Sequence, residues 1–302
     1  MFKASLRNIG MLVVLLAGSL LLSACEKDTA SNDEAGRAAG LENAEAMSRE
    51  HAQDTTEPSP AAEIAPSRPV ISDPRMPYAE VDDQNVYGHF AAPSDVFERL
   101  PALIVIHEWW GLNDNVRAMA DRLAGEGYMV LAVDLYGGKT ASTPAEARAL
   151  MVEVVEDPEL ARKNLQGAYD FLAVAGAPRV GSLGWCFGGG WSLNAAQLFS
   201  DDLDASVIYY GQVTDDEDRL RVINAPILGL FAADDAGIKV ESVRAFRQAL
   251  QRLRKEHEIH IYPGVGHAFA NPTGKNYDAA AATDAWDKTV DFLGRHLSGD
   301  GS

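Results

Sequence analysis

The stretch Arg179-Val180-Gly181-Ser182-Leu183-Gly184-Trp185-Cys186-Phe187-Gly188-Gly189-Gly190-Trp191 decides how the rest of the chain is read. An apolar run stops at Gly184, Cys186 follows inside a Gly-x-Cys-x-Gly pattern, and a helix-compatible run from Trp191 to Leu198 comes next. This is the pattern of a nucleophile elbow with a thiol in place of a hydroxyl. Such an elbow sets its nucleophile on a strained turn between strand and helix. The positions two before and two after then approach its backbone so closely that a Cβ would clash, which accounts for Gly184 and Gly188. The turn also places the sulfur at a helix N-terminus, where unpaired N–H groups favour a thiolate. The competing reading is a buried structural cysteine on a glycine-rich turn.

Working outward, 302 residues with 47% hydrophobic content give one or two domains and enough apolar side chains for a full core. The net charge of −18 excludes nucleic acid as a partner, because phosphate binding needs a basic surface. The two cysteines, Cys25 and Cys186, divide between two tasks. Residues 1–25 read as an export signal: Lys3 and Arg7 precede an apolar core from Ile9 to Leu22 that is too short for a comfortable membrane span. Leu22-Ser23-Ala24-Cys25 resembles a bacterial lipoprotein box, which implies cleavage before Cys25 and its lipidation. Glu26, rather than Asp, in the next position implies an outer-membrane anchor. The expected location is therefore the cell envelope, facing the periplasm, with the lipid as the membrane partner. With Cys25 lipidated, Cys186 is the sole remaining thiol, with no disulfide partner in an oxidising compartment.

Residues 26–69 carry more acidic than basic side chains, many Ala, Ser, Thr and Pro, and no Phe, Trp or Tyr. They read as a disordered acidic tether, since they cannot bury enough apolar area to offset their ordering entropy. The stretch from Gly40 to Gln53 has weak helical character without a continuous apolar face, and it falls within the disordered tether on this reading.

Residues 70–302 form the folded domain. Tyr78–Val81 and Asn85–Phe90 suggest an entry hairpin. Ala102–Ile106 is a continuous apolar run, as in a strand buried on both faces. Asn113 or Asp114 caps a helix containing Val116, Met119, Ala120 and Leu123. The strand Tyr128–Val133 follows, then a helix opened by Thr143-Pro144 with Glu146 in its first turn. A helix over Pro158–Val174 leads to the Cys186 strand. Beyond it come strand Ala205–Tyr210, a short excursion, strand Ile227–Phe231, helix Val240–Leu253, strand Glu258–Tyr262 and a last helix over Ala279–Leu297. Alternation of strands and helices specifies an α/β fold: a doubly wound, mostly parallel sheet with helices on both faces and ligands at the carboxyl ends of its strands.

Three elements arrive in the order nucleophile, acid, histidine: Cys186, Asp235 or its neighbour Asp234, and His267. That chain order is the one used by α/β-hydrolases. Asp235 lies just beyond the strand Ile227–Phe231 and His267 just beyond Tyr262, so both fall on the same sheet edge as Cys186. Taken singly, an Asp after a strand is ordinarily a turn or cap residue, and a loop His is ordinarily just exposed. An imidazole keeps the sulfur ionised and later protonates the leaving group, while a carboxylate fixes the ring's tautomer. Phe187, as the residue after the nucleophile, supplies one oxyanion-hole N–H.

Ile106-His107-Glu108-Trp109-Trp110-Gly111-Leu112-Asn113, Asp134-Leu135-Tyr136-Gly137, Gly184-Trp185-Cys186-Phe187-Gly188-Gly189 and Gly266-His267-Ala268-Phe269 together resemble the dienelactone hydrolases (carboxymethylenebutenolidases). The likeness covers about Pro74 to Leu297. It implies an α/β-hydrolase fold and a Cys186–Asp235–His267 triad, with Glu108 touching the cysteine. It also implies a second oxyanion-hole N–H from Trp109, small ester or lactone substrates, and neither cofactor nor metal. Two substrate-binding arginines of the best-known members are replaced, at Gly138 and Asn271, with Lys139 beside the first. A bidentate carboxylate clamp is thus lost, since Lys is a poor geometric substitute for Arg. Trp110, Tyr136 and Lys139 remain as candidate substrate-binding residues; Trp109 and Trp110 either wall the pocket or pack.

Gly138-Lys139-Thr140 lacks the upstream glycine of a phosphate loop, position 133 being Val, and His107-Glu108 lacks the second His of a zinc helix, position 111 being Gly. The expectation is an envelope-anchored hydrolase that works through an acyl-thioester. The alternative is a non-catalytic envelope binding or scaffolding lipoprotein that keeps the fold, which has no need of these four site residues together. A thiol redox role lacks a resolving cysteine. The sequence sets no oligomeric state.

Overall fold

The computed structural model describes residues 36–53, 64–96 and 98–298. The expected export signal, its lipoprotein box and Cys25 lie outside them, as do residues 26–35 and 54–63 of the expected tether. Among the described residues no helix is long and apolar enough to cross a membrane. The chain separates into two units, Met1–Glu42 and Asn43–Ser302. In the first, the described residues 36–42 are helical. The second holds everything that follows.

Eight strands make one sheet: β1 (Val70–Val81), β2 (Gln84–Pro93), β3 (Ala102–Ile106), β4 (Met129–Val133), β5 (Val180–Trp185), β6 (Ala205–Tyr209), β7 (Ile227–Ala232) and β8 (His257–Tyr262). Their spatial order is β1-β2-β4-β3-β5-β6-β7-β8. The entry hairpin is longer than the alternating segments suggested. Its two-residue turn, Asp82-Asp83, has φ of 49° and 61°, the left-handed pair that matches strand twist. β2 meets β4 antiparallel, and all later pairings are parallel. Every residue of β3, β4, β5, β6 and β7 is buried, so their unbroken apolar runs reflect cover on both faces.

The order turns around at β3. The chain steps from β3 to β4 on one side and then crosses to β5 on the other, with Ile106 pairing Gly184. Loops leaving β3 and β5 therefore diverge from adjacent strand ends, and a crevice opens between them at the carboxyl edge. The residues after Ile106 and those after Trp185 meet there.

Helix α2 (Asp114–Gly125) starts at Asn113, whose side chain accepts from Val116 N. Helix α3 (Pro144–Glu156) starts with a complete capping box: Thr143 accepts from Glu146 N, and Glu146 accepts from Thr143 N. Helices α4 (Pro158–Val174), α5 (Phe187–Leu198), α6 (Glu217–Arg221), α7 (Val240–Arg252) and α8 (Ala279–Leu297) complete the domain. Arg122 of α2 stacks 3.6 Å over Trp286 of α8, joining two helices on one face of the sheet.

Two expectations change. Helix α5 begins at Phe187 rather than Trp191. Three glycines weaken helix propensity there, but the elbow leaves that backbone no other path. The larger correction concerns the tether. Residues 43–50 are helical (α1), followed by a turn over 51–53, and Ala44, Met47 and His51 are buried to 1% exposure or less. Their spacing of three and four places them on one helical face. That face is short, but it has a site to dock into.

Candidate active site

Cys186 sits between β5 and α5 with φ 55° and ψ −117°. A non-glycine residue at positive φ costs about 1–3 kcal/mol and persists only where the surroundings enforce it. Here they do. Cys186 N donates to Tyr209 O at 3.0 Å, and Gly190 N donates to Cys186 O at 3.2 Å. A Cβ on Gly184 would lie 2.1 Å from Gly188 O, and one on Gly188 would lie 2.2 Å from Ile106 O. Both obstacles are backbone, so neither can yield.

Asp235 leaves β7 buried. Its Oδ1 accepts from Gly237 N at 2.8 Å and Ile238 N at 2.7 Å. His267 Nδ1 donates to Asp235 Oδ2 at 2.7 Å, with both side chains 1% exposed or less. This bond fixes the tautomer and directs Nε2 away from the carboxylate. Asp234, the rival acid, is exposed, whereas Asp235 is buried. Among the described residues His267 Nε2 has no hydrogen-bond partner, and a ring nitrogen of His267 lies within 4.8 Å of Cys186 Sγ.

Electrostatics favour an ion pair. Burial alone would push the Cys186 thiol up, but the charge of His267, with contacts to His267 and His51, outweighs it and brings the thiol down to about 6. Burial likewise opposes charge on His267, yet Asp235 and the Cys186 thiolate hold the imidazole well above its ordinary value. Both shifts run in the direction of a thiolate–imidazolium pair.

Glu108 is buried just beyond β3. Tyr210 Oη donates to its Oε1 at 3.4 Å, and Asn271 Nδ2 donates to its Oε2 at 2.5 Å. Asn271 Oδ1 in turn accepts from Thr273 N and Thr273 Oγ1. The residue standing where the resemblance implied a carboxylate-binding arginine thus spends its amide on an internal carboxylate. Tyr210 and Asn271 went unread as site residues in the sequence; no local pattern marks a partnership across 163 positions.

His107, beside Glu108, is structural. Its Nδ1 donates to Glu108 O at 2.6 Å and its Nε2 accepts from Leu135 N at 3.1 Å, a neutral tautomer consistent with its burial-lowered basicity. Its ring stacks on Phe187 and meets Tyr136 edge-on. Trp109 and Trp110 are fully buried 5.0 Å apart. Among the described residues, both indole N–H groups and the Tyr136 hydroxyl are buried without a partner. Lys139 does not join them. It is 60% exposed and pairs with Glu153 at 3.1 Å across the surface, after the left-handed turn Gly137-Gly138.

The thiol's close contacts come from α1. Met47 Sδ lies 3.5 Å from Cys186 Sγ, and His51 Nε2 lies 3.8 Å away. The His51 ring lies 4.7 Å from Trp109 and meets His267 edge-on at 5.1 Å. The i, i+3, i+7 spacing of Ala44, Met47 and His51 was the available signal, set within a composition typical of disorder. Ligand atoms of His51, Cys186 and His267 fall within 4.8 Å of one another, a thiolate and two imidazoles of the kind soft transition metals accept.

With this geometry in view, the likeness to known proteins is specific. The dienelactone hydrolase family profile matches residues 86–297. A Saccharolobus solfataricus protein provisionally named carboxymethylenebutenolidase is 32% identical over 231 residues, covering 64% of this chain and 89% of the relative. The Aquifex pyrophilus protein usf is 34% identical over 209 residues, covering 66% and 89%. A Klebsiella pneumoniae crystal structure, provisionally titled a dienelactone hydrolase, superposes with a TM-score of 0.68 at 27% identity, covering 76% of this chain and all of that one. The chain belongs to the dienelactone hydrolase family and is a hydrolase of the α/β-hydrolase fold.

Proposed function

We propose that this chain hydrolyses small, uncharged carboxylic esters or lactones through an acyl-thioester on Cys186. The observation that carries the reading is the line Asp235–His267–Cys186 at a strained elbow, with a thiol lowered to about 6. The Cys186 thiolate attacks the carbonyl carbon, and the carbonyl electron pair moves onto oxygen. That oxyanion takes hydrogen bonds from the backbone N–H groups of Phe187 and Trp109. On collapse the C–O bond breaks, and imidazolium His267 gives its Nε2 proton to the departing alkoxide, which stays on the same molecule when the substrate is a lactone. Water then adds to the thioester with His267 as base, releasing the acid and restoring the thiolate. Asp235 holds the ring and its positive charge throughout.

The unpartnered Tyr136 hydroxyl and Trp110 N–H supply donors for polar substrate atoms. A substrate carboxylate finds no clamp at Gly138 or Asn271, which favours uncharged acyl groups. Glu108, held by Tyr210 and Asn271, adds a buried carboxylate in the loop after β3, and the family likeness supports a role for it in controlling the cysteine's protonation. The Leu22–Cys25 motif supports an envelope lipoprotein anchored through Cys25, and labelled palmitate incorporated by wild type but not by Cys25→Ser tests that.

The activity test is a panel of 4-nitrophenyl esters and small lactones assayed with the full chain, Cys186→Ala and His267→Ala. Loss of about 10³-fold or more in both variants is expected. Turnover that survives Cys186→Ala would refute the thiol mechanism, and no turnover with any member of the panel would favour the binding-protein alternative.

A further inference from the structure

The buried thiol raises a question of access. Cys186 and His267 are 2% and 1% exposed, and what covers them includes the chain's own residues 43–53. Met47 lies alongside the sulfur, and its methyl end reaches Gly237, where a Cβ would stand 2.3 Å from Met47 Cε. Gly237 belongs to the loop that carries Asp235, so the wall receiving this side chain is part of the site itself. His51 then closes over Trp109 and His267. The thiol's close contacts are Met47 and His51, while among the described residues His267 Nε2 has no hydrogen-bond partner. Met47 and His51 also precede the family match, which begins at 86.

We propose that residues 43–53 are a strap that fills this protein's own substrate subsite, with Met47 standing where a straight, uncharged substrate chain lies beside Cys186 and His51 closing the site above it. The inference rests on the hydrolase reading for its substrate, and on geometry alone for the occlusion. Methionine is unbranched and apolar, so the space it fills takes a linear chain of roughly butyl length. Ala44, Met47 and His51 are buried anchors of the strap, and its outer ties include the exposed Arg148–Glu45 ion pair and Lys275 Nζ donating to Glu50 O at 2.6 Å. A substrate chain that enters must displace Met47, so strap and substrate compete.

The test uses the full chain with EDTA throughout, so that a metal held by His51, Cys186 and His267 does not interfere. Two variants release the strap without touching the thiol or His267: Met47→Ala, and Ala44→Arg, whose side chain cannot be buried where Ala44 sits. Alkylation of Cys186 by iodoacetamide, followed by mass spectrometry, reports access independently of turnover. Both variants should alkylate at least about tenfold faster than wild type and hydrolyse 4-nitrophenyl butanoate faster. In Met47→Ala, butanoate should exceed acetate in kcat/KM by about tenfold, the effect of burying two methylenes. Adding Gly237→Val should bring that ratio near one.

Alkylation within twofold of wild type in both strap variants would overturn the occlusion. Faster alkylation with no preference for butanoate would overturn the subsite. Faster alkylation with no ester cleaved by any variant would leave the strap standing and refute the proposed ester hydrolysis, and with it the assigned substrate.

Discussion

The elbow around Cys186 and the strap around Met47 meet at one sulfur atom but are specified in opposite ways. At the elbow, backbone touches backbone: Gly184 against Gly188 O, and Gly188 against Ile106 O. Residue identity there is forced, and the pattern can be read from a few letters. The strap is held by side chains docking into a site built elsewhere, so nothing within its own sequence demands burial. The teaching is that geometry closed within a few residues leaves a local signature, whereas geometry completed by a distant surface does not.

The comparison breaks most severely at the elbow. Gly188→Ala places a methyl group 2.2 Å from one carbonyl and 2.5 Å from the next. Hydrolysis is expected to fall by about 10³-fold or more, because a misplaced nucleophile loses its alignment. The same one-carbon change made in reverse, Ala44→Gly in the strap, is expected to preserve turnover or raise it. Steady-state kinetics on both decides the point.

Next comes the acid. Asp235→Asn keeps the shape but can present an amide N–H to His267 Nδ1, reversing the tautomer. A loss of about 10³- to 10⁴-fold in kcat is expected. Asp234→Asn, at the exposed neighbour, should change kcat less than twofold.

A smaller effect, with a definite sign, is the pH profile of alkylation. Wild-type Cys186 should react at a constant rate above about pH 7 and lose reactivity as the pH falls through about 6, where the thiolate takes up its proton. Removing the imidazolium in His267→Ala leaves burial dominant, and the midpoint should move up to or past the ordinary thiol range. A midpoint still near 6 would show that His267 does not set the thiol.

Smallest is the strap's outer tie. Arg148→Ala removes an exposed ion pair to Glu45 and should change the melting temperature by no more than about 1–2 °C.

Much of the fold was legible because it too is locally specified. The apolar run Ala102–Ile106, the cap candidates Asn113 and Asp114, and the Thr143-Pro144 start each announce an element and its boundary. Asp235 and His267 were legible as residues just past strand ends, where the sheet's topology delivers them to the crevice. The direction of Lys139 was not legible, because sequence adjacency to Gly138 says nothing about it; a left-handed turn sends it outward to Glu153. The Glu108–Asn271 bond joins loops after β3 and β8 and exists only once the sheet has formed. The strap reads as disordered by composition, because three buried anchors in eleven residues are too few to fold alone. They are enough against a preformed site.

The most direct measurement of the central claim is to trap the acyl-enzyme. The full chain and Met47→Ala are mixed with 4-nitrophenyl butanoate, quenched in acid during the first turnovers, digested and analysed by mass spectrometry. The account predicts a butanoyl group on the Cys186 peptide in both proteins, accumulating faster in Met47→Ala and absent from Cys186→Ala. Nitrophenol released with no acyl group on Cys186, at a rate unchanged in Cys186→Ala, would contradict it.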